Sequence, residues 1–295
     1  MRSFPSFSLT SLLAGVLAAL ASYNPVDAQE IRYSGSLGFS SGSYFFADRT
    51  QSFSLLNGLS LSRGRLSFSA TLPIIAQTSD AVAFLGGGMM PTGGPNHQGV
   101  ADRHSGTGMG MGEALPGGVD ASFDATIGDP LFRGSFQLFQ SAGKLRSLTA
   151  EAMAKAPLAP LASGVGTGAW DLGVRASSVM AFGETLILAG LSFWSPGDLP
   201  ELVLKEYADV SLGVGRLLGR RWSLLSSLNL ATAVIETIDP PASAGLSIGF
   251  RPRSGRSLNG GISVGLTEAS PDLTVFLGWS FGFLGPQTQS GPWME

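Results

Sequence analysis

The chain has 295 residues, of which 44% are hydrophobic and only 13% charged, about half the roughly 25% charge of an ordinary soluble domain. Its formal net charge of −3 argues against a nucleic-acid partner. The lack of cysteine excludes a disulfide framework, a Cys-based zinc site and a lipid anchor on cysteine.

The first 28 residues read as a secretory signal peptide. Arg2 supplies a basic start, 12–21 (LLAGVLAALA) is an apolar core, and Pro25 breaks it. Val26, Asp27 and Ala28 form the cleavage site, which makes Gln29 the first residue of an exported chain. Beyond residue 30 no run approaches the about 20 apolar residues that a spanning helix needs.

The exported chain alternates with period two, as strand side chains do. Tyr33, Leu37 and Phe39 oppose Ser34, Ser36, Gly38 and Ser40. Phe53, Leu55, Leu59 and Leu61 oppose Ser52, Ser54, Gly58 and Ser60. Leu66, Phe68, Leu72 and Ile74 oppose Ser67, Ser69 and Thr71. Segments 131–141, 145–158, 169–181, 185–194, 207–217 and 221–235 follow a noisier version of the rule. It is clearest at 243–250, 257–267 and 273–283, where Leu273, Val275, Leu277, Trp279, Phe281 and Phe283 share a face.

Alternation also fits a soluble sandwich, but a soluble strand shows water Lys, Glu and Arg. Here the polar face is mostly Ser and Gly, which suits a crowded, concave interior, and the large apolar face suits lipid. Every second connection is short and pairs Gly with a charge: 62–65, 142–144, 182–184, 218–221 and 253–256. The others are longer or rich in Pro, Asp and Gly: 41–51, 77–122, 160–168, 195–204, 236–242 and 268–272. The expected fold is all-β: one closed antiparallel transmembrane β-barrel over 29–283, of about 12 strands within a range of 10–14, with a short tail at 284–295. Tyr33, Trp170, Trp194, Tyr207, Trp222 and Trp279, near strand ends, are expected at the membrane interfaces.

Four stretches resemble the outer-membrane transporters grouped with the MetA pathway of phenol degradation. They are Ile127-Gly128-Asp129, Gly166-Thr167-Gly168-Ala169-Trp170-Asp171, the segment GLSFWSPGD at 190–198, and the segment at 265–273. The resemblance covers roughly 120–283. It implies passage of small hydrophobic or aromatic solutes across the outer membrane. The chain departs from such barrels in carrying residues beyond Phe283, where they usually end on an aromatic residue.

No catalytic constellation stands out, and neither an enzyme nor a cofactor is expected. His97 and His104, with Asp102 between them, fall in a Gly-rich stretch that reads as a solvated loop, not a metal site. No G-x-S-x-G elbow is followed by a histidine. With apolar residues facing lipid, the candidate lumen-lining polar residues are Arg32, Arg133, Gln137, Glu151, Lys155, Asp171, Arg175, Asn229 and Asn259. They form either a brace of ion pairs or the wall of a solute path. The 77–122 loop carries Phe84, Met89, Met90, Met109 and Met111, whose soft side chains are expected to admit apolar solutes at the mouth. The function expected is passive diffusion of small hydrophobic or aromatic solutes; the alternative is a structural or adhesive barrel with a plugged lumen. Expected partners are outer-membrane lipid, the barrel-assembly machinery and the solute.

Overall fold

The computed structural model describes residues 29–284 apart from 45–48, 80–81, 86–87, 92–123, 142–145, 161–162, 164, 198–203 and 236–237. The signal peptide at 1–28, residues 285–295 of the tail, His97, His104, Met109 and Met111 therefore lie outside the described residues.

Among the described residues fifteen strands are formed in chain order: β1 (Gln29–Gly42), β2 (Thr50–Arg63), β3 (Leu66–Gln77), β4 (Val82–Leu85), β5 (Gly88–Pro91), β6 (Asp124–Ile127), β7 (Leu131–Gln140), β8 (Arg146–Lys155), β9 (Asp171–Phe182), β10 (Thr185–Ser195), β11 (Tyr207–Leu218), β12 (Trp222–Ala231), β13 (Ala242–Arg253), β14 (Arg256–Gly265) and β15 (Leu273–Leu284). β4 and β5 make a separate small hairpin. The other thirteen form one antiparallel sheet that closes where β1 pairs with β15. β6 and β7 share one place in the wall, both pairing with β3, so the barrel has twelve wall positions. Closure matters because an unpaired strand edge cannot be satisfied in hydrocarbon.

The split between β6 and β7 has a local cause. Pro73, within β3, has no amide N–H to continue a ladder. The pairing of β3 skips from Thr71–Leu131 to Ile74–Ile127, and Gly128 N–H donates instead to the Pro73 carbonyl at 2.9 Å. The skipped residues are Gly128, Asp129 and Pro130, and the break frees Asp129 to turn away from the ladder.

The ladders divide side chains between two faces. One carries an exposed apolar residue on each wall strand, including Leu37, Phe53, Ile74, Phe136, Val174, Leu191, Leu212, Leu224, Ile248, Ile262 and Leu277. A belt this continuous is not tolerated in water and is the lipid-facing surface of a barrel. The other face is Ser, Gly and the occasional charge. Its small residues interlock: the positions where a Cβ would stand on Gly38, Gly58, Gly245 and Gly249 are met by the hydroxyls of Ser54, Ser34, Ser227 and Ser223 on neighbouring strands. At the tight-turn end, Gly64, Gly183, Gly219 and Gly255 have φ between 57° and 73°, a left-handed backbone that glycine enters without steric penalty.

Two sequence expectations are corrected. The strand expected over 221–235 stops at Ala231, because Val234 and Ile235 turn into an apolar core at the barrel mouth. Trp194 and Tyr207, expected at the membrane interface, point to the interior face and are 2% and 1% exposed. Tyr33 and Trp279 do lie on the outer face. Tyr33 Oη donates to Asn57 Oδ1 at 2.9 Å, and the Trp279 ring covers Gly35.

Candidate functional site

The interior is organised in three levels, read downward from the loop end of the barrel. The first is a buried knot of charge. Lys155 ends β8, Asp171 begins β9, and Asp129 sits in the break between β6 and β7. Lys155 Nζ lies 2.8 Å from Asp171 Oδ2 and 3.2 Å from Asp129 Oδ2, and donates to Thr167 Oγ1 at 3.3 Å. All three charged side chains are 0–1% exposed. Two carboxylates around one ammonium leave a formal charge of −1 in a dry place. Backbone amides offset it: Asp129 Oδ1 accepts from Leu158 N–H at 2.8 Å and Ala159 N–H at 2.7 Å, and Asp171 Oδ1 accepts from Gly197 N–H at 3.0 Å. The knot thus ties the wall break to the β8–β9 connection and to the start of the β10–β11 connection. Three of the motifs behind the family resemblance meet here: Gly128-Asp129, the 166–171 run with Thr167 and Asp171, and the 190–198 segment with Gly197. Gly166 belongs to the packing as well, since a Cβ on it would stand 2.5 Å from Asp129 Oδ2.

Beside the knot lies an apolar crown. Met153, Trp194 and Tyr207 reach in from strand ends and pack with Leu204, Val234, Ile235, Ile238 and Ala269 from three of the long connections. Lys205 N–H donates to the Val234 carbonyl at 2.8 Å and joins two of those connections directly. The crown ring depends on a glycine: Gly173 is the Cα partner of Trp194 on β9, and a Cβ there would stand 2.7 Å from the indole.

Below the crown is a chamber of about 510 Å³. Its lining includes Ser40, Ser54, Arg175, Asp209, Asn229 and Ser263, contributed by β1, β2, β9, β11, β12 and β14. Side chains from such distant strands meet in one cavity only across the lumen. A row of alternating charge on β7, β8, β9 and β11 leads into it, and Arg175 and Asp209 belong to its lining. Arg133 Nε is 3.3 Å from Glu151 Oε2, Glu151 and Arg175 are Cα partners, and Arg175 Nη1 is 4.0 Å from Asp209 Oδ1. Hydroxyls complete the row. Arg175 Nη2 donates to Ser211 Oγ at 2.8 Å, Ser177 Oγ donates to Glu151 Oε1 at 3.5 Å, and Ser192 Oγ donates to Asp209.

The remaining residues singled out from sequence are more scattered. Gln137 shares the face of Thr149, its Cα partner, toward the tight-turn end. Asn259 packs against Gly278 on that face. Arg32 is lower still, 2.5 Å from Glu30 and donating to Ser280 Oγ at 3.3 Å. Phe84, Met89 and Met90 belong to the β4–β5 hairpin, whose first residues, Val82 and Ala83, are buried. Most of the 77–122 loop lies outside the described residues. Sequence reasoning missed Asp209, which breaks the expected run of small polar residues in β11. It also missed the crown residues Leu204, Val234, Ile235 and Ile238: Leu204 and Ile238 stood out only by apolar character within connections, and Val234 and Ile235 were read as the end of a strand.

No family model and no curated protein matches the chain. Solved structures do. A crystal structure of an outer-membrane channel from Pseudomonas putida F1 superposes with a TM-score of 0.60 at 11% identity, over 89% of this chain and 98% of that one. The chain has the fold of an outer-membrane channel. The translocator domain of the autotransporter NalP from Neisseria meningitidis (TM-score 0.45, 8% identity, 93% and 96% covered) and the P. putida toluene transporter TodX (0.43, 11%, 90% and 92%) overlap more loosely. Among the described residues no group of acidic or histidine side chains could hold a metal ion.

Proposed function

We propose that this chain is an outer-membrane channel that passes small hydrophobic or aromatic solutes by passive diffusion. The observation that carries the reading is the stacking of an apolar crown on a polar chamber, with Tyr207 and Ala269 belonging to both. An ion must shed water to cross the crown, whereas an apolar solute gains contact there. The chamber, at about 510 Å³, exceeds the roughly 150 Å³ that suffices for benzene. The fold shared with the P. putida F1 channel and the motifs that resemble the phenol-degradation transporters support the same reading.

Flux into liposomes tests it. The purified protein should speed entry of neutral monoaromatic solutes over protein-free vesicles, and entry of charged solutes of equal size far less. The second reading, a structural barrel with a plugged lumen, is favoured by the near-complete burial of Trp194 and Tyr207. Flux equal to that of protein-free vesicles for every solute would establish it.

A further inference from the structure

The tight-turn rim is strongly cationic on one side of the barrel. Arg216, Arg220, Arg221, Arg251, Arg253 and Arg256 lie together at the lower ends of β11, β12, β13 and β14, and all six are exposed. Glu184 lies 3.5 Å from Arg216, but both side chains are about two-thirds exposed, so water screens the pair. Arg253 and Arg256 are Cα partners, so like charges stand directly opposite each other, which is unfavourable unless an anion lies between them.

The placement says which anion. Arg216 is the Cα partner of Leu224, and Arg256 that of Phe281, so both follow the lipid-facing side of the ladder, not the pore. One step along, Trp222 and Phe250 are Cα partners whose ring centroids are 4.4 Å apart, the kind of aromatic pair that marks a membrane interface. The apolar belt begins at once above them with Leu224 and Ile248. The guanidinium groups of Arg216, Arg253 and Arg256 therefore stand where the phosphates of lipid headgroups stand. The opposite rim leans to the reverse sign, with Glu206, Asp239, Glu268 and Asp272 exposed against Lys205 and Arg49, the last paired with Asp272 at 2.8 Å. Tight turns face the periplasm in barrels of this type.

We propose that this arginine rim is a binding site for anionic phospholipid of the periplasmic leaflet. Forked guanidinium donors hold the phosphate diester, and the Trp222–Phe250 pair packs on the glycerol and upper acyl region.

The test reconstitutes the full chain in bilayers of phosphatidylethanolamine and phosphatidylglycerol, then reads the lipid retained after detergent extraction by native mass spectrometry. The expected result is at least three-fold enrichment of phosphatidylglycerol over the bulk ratio. The combined variant R216Q, R253Q and R256Q should fall to the bulk ratio, while E206Q with E268Q at the opposite rim should leave the enrichment intact. High salt should weaken the enrichment, because the rim is open to solvent. Retained lipid at the bulk ratio in the unaltered protein overturns the proposal, as does enrichment that survives in the triple variant. If the triple variant does not fold, the enrichment in the unaltered protein and its loss with salt decide. Rim-dependent binding of polyglutamate without lipid enrichment also overturns it, and points to an acidic protein partner instead.

Discussion

Lys155 and Asp171 stand directly opposite each other on β8 and β9, with Nζ 2.8 Å from Oδ2 and at most 1% of either side chain exposed. A buried charge that loses its partner keeps its desolvation cost, typically about 3–5 kcal/mol. Lys155→Met should therefore destabilise the folded barrel by about that amount, read from urea unfolding in lipid vesicles. Adding Asp129→Asn and Asp171→Asn should recover much of the loss. Each Asn can still accept from the backbone amides of Leu158, Ala159 and Gly197, and no uncompensated charge remains.

Trp194 is the largest side chain of the crown. Trp194→Ala should cost about 3–5 kcal/mol, and should raise the flux of neutral solutes while weakening discrimination against ions. Liposome swelling with a graded solute series checks both effects. Gly173→Ala should disturb the same ring from the other side, since the added methyl needs the space that the indole fills.

The charge row that leads into the chamber alternates in sign, so its net field is small while each pair is intact. Arg175→Gln removes the cation beside Asp209 and leaves the carboxylate facing the lumen, with Ser192 still donating to it. The channel should become more cation-selective, visible as a shift of reversal potential under a salt gradient. The shift should shrink at high ionic strength.

Tyr44, in the β1–β2 connection, is 1% exposed, and the pKa of its phenol is pushed up to about 12. Burial is the main cause; the neighbouring Ser40 hydroxyl works against it, and the nearby Asp272 carboxylate adds to it. The unfolded chain releases this proton near pH 10 and the folded one does not. The stability due to the neutral phenol is thus fully present below pH 10 and is lost as pH rises toward 12. Tyr44→Phe should flatten that decline, measured by unfolding between pH 9 and 12.

The parts of the fold legible in sequence were those governed by period two. The alternation at 243–250, 257–267 and 273–283 is strict because each side chain there meets either lipid or a narrow, close-packed interior. The turns were legible for a related reason: Gly64, Gly183, Gly219 and Gly255 occupy a backbone conformation that few other residues reach without strain. The aromatic positions were less transparent. Trp194 and Trp279 both sit in alternating strands, yet one covers Gly173 inside and the other Gly35 outside. The two faces differ in what surrounds the ring, and a tryptophan alone does not reveal that.

Local alternation was enough to determine a closed sheet with a greasy exterior and a small-residue interior, because lipid and lumen impose a choice at every position. Which charges would meet was decided only by the tertiary structure. Asp129 reaches Lys155 because Pro73 interrupts the ladder and lets the chain bulge inward, and Asp209 reaches Arg175 across the strand between them. The crown likewise arises from connections without any period, whose apolar residues find one another only after the barrel has brought the strand ends together.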